Sequence, residues 1–328
     1  MFDVITFGSA ARDIFLRSKQ FLIGNFDLTG PQKEILLPYG LKVDVEDIHF
    51  HSGGGGVNTA TTFSSRGLKV AYSGTIGSDI GGKEILKELR KKHIDTRFVL
   101  KTSKKPTNLS VIFSTPQERT ILVYKGASQV LKSSQIHWAK IKETEWFYIA
   151  SLGKNADKFF EDLLVFARKN KIKVMVNPGL PQLKLPLKRL RPLLKKIDIL
   201  LLNQEEGQIL IRDSSLKREE LVRSIKKIFP GILIITNGTR KLFVVDNKCL
   251  YSAFPLIQKE AVDKTGAGDA FGSGFLAGYI KHKGNIKQAI QLAVANAASC
   301  LTKWGAEEGI LKKNEKFKRV KVAIHEKS

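Results

Sequence analysis

Cysteine is scarce. The chain has two, Cys249 and Cys300, far apart and without metal-ligand spacing, so a reduced, cytoplasmic protein is the plain expectation. Long apolar runs are missing too, and no stretch approaches the roughly 20 residues that a membrane-spanning helix needs. The opening "MFDVITFGSAARDIF" has an acidic residue at position 3, no basic leader and no small-residue cleavage site. It reads as a first strand rather than a signal peptide. The third shortage is of acidic residues: 31 against 55 Lys and Arg, a net charge of +24. Such a balance suits an anionic partner. The lysines are spread through nearly every predicted helix ("KELRKKH", "RPLLKK", "VRSIKKIF"), and no cluster is interleaved with stacking aromatics. That argues against nucleic acid and for a solvated surface that steers small anionic substrates.

Core material is plentiful. With 328 residues and 42% hydrophobic composition, the chain can fill one large α/β unit or two domains. Apolar runs alternate with helical patterns: strand 3–10, helix 58–67, strand 69–77, then an amphipathic helix 81–94 with Ile85, Leu86 and Leu89 on one face. "NLSVIFST" and "RTILVYKG", joined by "PQE", read as a hairpin. From residue 146 strands and helices alternate regularly, ending in helices 267–281 and 286–302. This order implies an α/β fold with a parallel sheet covered on both faces. Residues 15–50 and 98–125 break the rhythm and read as a small β lid. The core is then 1–14, 51–97 and 126–311, and the basic tail 312–328 is a final edge strand or a loose end.

Chemistry concentrates in glycine-rich segments. In "DKTGAGDAFGSGF" (263–275) the amides of Gly266, Ala267 and Gly268 precede an apolar helix. Helix-start amides lack partners and form an anion site. Asp269 in that loop either accepts a proton from an attacking hydroxyl or merely complements the helix dipole. Gly274 and Gly278 suit close helix packing. In "HSGGGGVNTA" (51–60) four glycines fit a ligand lying flat on the backbone, and Asn58 can both donate and accept. Asp13 could take two sugar hydroxyls. Asn203 and Glu206 in "NQEE" suit a hydrated Mg²⁺ or phosphate, although by itself the pattern reads better as a helix cap. Thr236 and Gly238 in "TNG" suit phosphate.

In this order the pieces resemble the ribokinase, or PfkB, family of carbohydrate kinases over about residues 2–311. "DKTGAGDAFGSGFLAG" looks like the family's C-terminal signature, and "SGGGGVNTA" with "RGLKVAYSGTIGSDIGG" like its N-terminal one. The resemblance implies a ribokinase-like three-layer sandwich with a β lid that often builds a homodimer. It implies transfer of the γ-phosphoryl of ATP to a hydroxymethyl group of a sugar, with Mg²⁺ and often a monovalent cation such as K⁺. Asp269 becomes the catalytic base, and Gly266, Ala267 and Gly268 the anion hole. Asp13, Gly53, Gly54 and Asn58 hold the substrate. Asn177, Asn203, Thr236 and Gly238 meet the nucleotide, Glu206 is tied to Mg²⁺, Asn296 lies near the adenine, and 304–310 closes the base pocket.

The chain departs from the family pattern at Lys241 (usually glycine), Lys264 (commonly threonine), Ala11 (asparagine in ribokinases) and Gly55 (lysine there), and "SLG" lacks an acidic residue. These departures put ribose in doubt and leave kinase chemistry intact. A nucleoside kinase is the competing reading, with Phe21, Phe26, Tyr39 and Phe50 as candidate base platforms. A non-catalytic binding or regulatory protein would need a broken site, and Asp269 with its glycines is intact.

Overall fold

The structure is a computed structural model describing residues 1–24, 34–115, 118–258 and 261–326. Phe26 and the Pro116–Gln117 part of the "PQE" turn lie outside the described residues. The N-terminal half contains strands β1 (Phe2–Phe7), β2 (Ala11–Arg17), β3 (Leu22–Gly24), β4 (Glu34–Leu36) and β5 (Asp47–Gly53). After helix α1 (Gly55–Ser65) come β6 (Val70–Gly77), α2 (Ile80–Lys91), β7 (Asp95–Thr102), β8 (Asn108–Ser114) and β9 (Arg119–Tyr124). The middle of the chain runs through α3 (Trp138–Ile141), β10 (Thr144–Ile149), α4 (Asp157–Lys169), β11 (Lys173–Val176), α5 (Leu180–Leu183) and α6 (Leu187–Leu194). It continues with β12 (Ile199–Asn203), α7 (Gln204–Ile211), α8 (Arg218–Lys226), β13 (Ile232–Thr236), β14 (Leu242–Val245) and β15 (Cys249–Ala253). The last elements are α9 (Ala267–Lys281), α10 (Ile286–Cys300) and β16 (Val322–Glu326).

Ten strands form the main sheet in the order β16-β15-β14-β13-β12-β11-β10-β1-β6-β7. Strands β13 through β7 in that order are parallel, and β14, β15 and β16 add an antiparallel edge. The apolar runs are continuous because both faces are covered. In β12, Leu200 and Leu202 join the core under α4, α6 and α8, while Ile199 and Leu201 join the core under α1, α9 and α10. Ile85, Leu86 and Leu89 are buried, as the α2 pattern predicts. Gly274 and Gly278 let α9 and α10 touch: a Cβ at either would meet Ala293 Cα at 3.2 Å or Ala289 Cα at 2.9 Å.

A second sheet, β5-β2-β8-β9, grows from the carboxyl end of β1, and β3 and β4 make a separate hairpin. Its limits differ from the rhythm of the sequence. The small sheet begins at Ala11 and runs to Gly53, whereas β7 belongs to the large sheet. The tail is no appendage, since β16 pairs with β15. Among the described residues no helix is long and apolar enough to cross a membrane.

Candidate functional site

Two contrasting kinds of helix start stand out in this protein. Asp79, Asn203 and Asn285 cap α2, α7 and α10 with their side chains. Helices α1 and α9 begin instead at Gly54 (φ 92°) and Gly266 (φ 75°), left-handed residues without a capping side chain. At α9 the first amides are left to a ligand, whereas in α1 Gly56 N already donates to the Ser9 carbonyl at 3.1 Å. The two helix starts lie side by side, and Asn58 Nδ2 in α1 donates to Asp269 Oδ2 in α9 at 2.8 Å. Threonine and tyrosine hydroxyls fix α1 on the sheet: Thr6 donates to the Gly56 carbonyl at 3.0 Å, and Tyr72 to that of Gly8 at 3.0 Å.

The glycine run passes both carboxylates. A Cβ on Gly53 would fall 2.0 Å from Asp13 Oδ2, and one on Gly55 would lie 3.4 Å from Asp269 Oδ1. Asp13 is buried, and its carboxyl is pushed up to about 6 by burial. Its hydrogen bond to Ser110 opposes that shift, while Asp263 and Asp269 add like charge. Asp269 is also raised by burial, partly offset by Asn58. The Asn58 carbonyl oxygen is buried with no partner among the described residues.

On the other side of Asp269 lies a cavity of about 440 Å³. Asn177, Asn203 and Thr236, at the ends of successive strands, line it with Glu206, Gly238, Ala267 and Gly268. Its far wall is apolar, built from Leu256, Ile257, Phe271, Val294 and Leu301. Asn203 and Glu206 form a reciprocal cap, with both bonds at 2.8 Å, so the cap reading of "NQEE" holds. Burial, opposed by the Asn203 amide, raises the Glu206 carboxyl. Asn296 stands apart from the cavity. It is buried, donates to the Ala270 carbonyl at 2.8 Å and accepts from Leu311 N at 2.9 Å, which ties α10 to α9 and to the tail. Lys241 points away onto the Phe254 ring at 5.4 Å, while Lys264 lines the cavity and meets Glu118 of the lid at 3.1 Å.

The sequence matches the pfkB family of carbohydrate kinases over residues 20–313. The chain belongs to this family. This pfkB kinase is 28% identical over 267 residues to a ribokinase of Haemophilus influenzae, covering 80% of this chain and 85% of that protein. It is 27% identical over 249 residues to an uncharacterized sugar kinase of Archaeoglobus fulgidus, covering 75% of this chain and 97% of its relative. The fold matches a Giardia lamblia ribokinase structure with a TM-score of 0.79 at 19% identity, covering 95% of this chain and 98% of the other. A Burkholderia thailandensis nucleoside kinase in complex with inosine matches with a TM-score of 0.75 at 16% identity over 94% of this chain and 95% of the other. The enzyme is thus a sugar or nucleoside kinase of the ribokinase-like fold.

Sequence reasoning missed one wall of the pfkB site. Segment 304–306 does not line the 440 Å³ cavity. It turns to the Asp13 side, because Ala306 lies against Gly266 and Gly305 against His51, while Gly305 N donates to Asp263 at 3.2 Å. Trp304 stacks on His49 at 5.0 Å, with Phe15 at 5.6 Å and Arg17 over its ring at 5.1 Å. The cross-strand pairs Asp13–His51 and Phe15–His49 place this aromatic wall beside Asp13. Period-two alternation along "RDIFLR" and "IHFHS" carried the signal, since Asp13 shares a face with Phe15 and His51 with His49. Of the candidate platforms, Phe21 is buried on Phe113 at 5.2 Å, and Tyr39 and Phe50 are exposed.

Proposed function

We propose that this kinase transfers the γ-phosphoryl group of ATP to a hydroxymethyl group of a sugar, with Asp269 as the base. The observation that carries this reading is the position of Asp269. Its carboxylate is anchored by Asn58, with the Asp13 crevice on one side and the cavity lined by Ala267 and Gly268 on the other. Asp13, the backbone of Gly53 and Gly54, and Asn58 orient the acceptor. Asp269 takes the proton of its hydroxyl as oxygen attacks phosphorus. The amides of Gly266, Ala267 and Gly268, together with the α9 dipole, stabilise the charge spread over the equatorial oxygens.

Asn177, Asn203, Thr236 and Gly238 contact the nucleotide, whose adenine fits the apolar wall. Among the described residues no three acidic, histidine or cysteine side chains group as a metal cage. Glu206 alone facing the cavity fits Mg²⁺, which keeps most of its waters and arrives on phosphates. Bound there, the ion neutralises charge on the β- and γ-phosphates. We also read the outer face of the lid as a homodimer contact, since Ile48, Phe50, Leu122, Val123 and Tyr124 are exposed there.

The aromatic wall favours a second reading, a nucleoside acceptor whose base rests against Trp304 and His49. The test is ADP release from Mg·ATP against sugars, sugar phosphates and nucleosides, wild type beside Asp269→Asn. An acceptor whose turnover the variant loses supports the assignment, and its class selects the reading. Undiminished turnover in the variant sinks it.

A further inference from the structure

In a parallel sheet every helix returns the chain to the same edge. Many of the basic residues that look scattered in sequence sit where helices end and strands begin, so the fold gathers this group at the edge opposite Asp269. Helix α2 ends on Arg90 and Lys91, with His93 in the turn to β7. Helix α4 ends on Arg168 and Lys169, and Lys171 and Lys173 follow before and at the start of β11. Helix α8 ends on Arg223, Lys226 and Lys227. Helix α9 reaches the same edge, because Tyr279 packs on Trp146 at the start of β10 at 5.9 Å, and Lys281 and Lys283 follow.

Two observations set these cations apart from an ordinary solvated surface. The four non-glycine residues with left-handed backbone are His93, Lys171, Arg212 and Lys283, with φ between 50° and 63°. Glycine is the usual choice after a helix end. Three of these four lie on this edge, and at Lys171 and Lys283 a cation stands where glycine would relieve strain. Three acids of this edge are already engaged, while Glu143 and Glu145 beside the start of β10 are exposed and outnumbered by the cations. Asp3 accepts from Lys69 N at 2.6 Å, Asp198 from Val174 N at 2.7 Å, and Asp95 is held by Arg97. Lys169, Lys171, Lys227 and Lys283 make no ion pair among the described residues. Burial and the neighbouring charges of Arg66 and Lys313 push the Lys281 amine down, as crowding of like charge requires.

We propose that this edge is a docking face for the phosphate backbone of duplex nucleic acid, bound without base readout. From β13 to β7 the row spans six inter-strand steps, roughly 29 Å at 4.8 Å each. That is a little under one turn of duplex, about 34 Å. Single strands need exposed aromatic platforms, and at this edge Trp146 is buried and Tyr279 half-buried. A membrane surface needs inserted apolar side chains, and among the described residues of these helix-to-strand turns no large apolar side chain is exposed. This proposal stands independently of the acceptor and of the kinase chemistry.

The test measures binding of the full chain to a 20-base-pair duplex of arbitrary sequence across a salt series. The expected plot of log K against log salt has a slope of about −3 or steeper, which corresponds to at least about four neutralised phosphates. Lys169→Glu/Lys171→Glu/Lys173→Glu should weaken binding at least tenfold and leave ADP release unchanged. Lys101→Glu/Lys104→Glu/Lys125→Glu, a charge-matched change at the finishing end of β7 and beside the lid, should leave it within twofold. Lys171→Gly/Lys283→Gly guards against misfolding, since it should raise the thermal midpoint while weakening the duplex. Equal losses in the edge and lid variants, a flat salt plot, or binding to phosphatidylserine vesicles but not to duplex would each overturn the proposal.

Discussion

The two edges of the main sheet use helix termini in opposite ways. At the finishing edge of the strands, α1 and α9 begin on left-handed glycines without side-chain caps, and carboxylates crowd beside them. At the starting edge, helix after helix ends on lysine or arginine, which satisfies the negative end of its dipole. The first arrangement is poor for stability, because raised carboxyls at Asp13, Asp269 and Glu206 mark charges that the fold would rather not hold. The second is favourable for the helices. Local electrostatic cost thus collects at the candidate site, and local electrostatic gain at the opposite edge.

Breaking the contrast at Asp269 should have the largest effect. Asp269→Asn is expected to lower kcat by about 10²–10⁴-fold, while circular dichroism shows an unchanged fold and the thermal midpoint at neutral pH rises. Loss of fold instead would make the carboxylate a structural group. Next comes Gly53→Ala, whose methyl must displace the Asp13 carboxylate from 2.0 Å. A displacement of that size should raise the acceptor KM on the order of 10²-fold and leave the ATP KM unchanged. Steady-state kinetics with both substrates varied separates the two constants.

Asp13→Asn sharpens the comparison through stability. The folded Asp13 carboxyl, at about 6, lies above its ordinary value of 3.8, so the protonated form favours the fold. Its contribution is fully present below about pH 4 and is lost as pH rises through 6. Replacing the carboxylate should therefore stabilise the protein at pH 7 by on the order of 3 kcal/mol, with the gain gone at pH 4. Urea titrations at both pH values check this, and a gain independent of pH would remove the charge argument. The smallest effect is expected at the opposite edge. Lys171→Gly relieves a left-handed φ of 58° and should add about 0.5–1 kcal/mol, read as a shift of about 1–3 °C in the thermal midpoint.

The large sheet was legible because burial on both faces leaves continuous apolar runs, as in "IDILLLN", and amphipathic helices leave a clear period, as in α2. Helix 267–281 falls where the sequence places it. The limits of the small sheet were harder to read, since β2 is continuous with β1 in sequence and only the paired register of Ala11 with Gly53 shows where the chain changes sheets. The glycine segments announced themselves because close approach and positive φ admit few other residues. Asn296 and Trp304 illustrate the opposite case. A polar residue in a helix looks the same whether it faces a ligand or bonds two backbones, and a tryptophan after a helix does not reveal which side of the crevice it will cover. Charge is hard to read for a related reason: spacing along the chain is not spacing on the surface.

The three residues 304–306 have one last consequence. Trp304 rests on His49, Gly305 on His51 and Asp263, and Ala306 on Gly266. With the proposed roles, an acceptor pressing on Trp304 would press through this short segment on the turn before α9, so its arrival would be felt at the amides that meet the phosphoryl group.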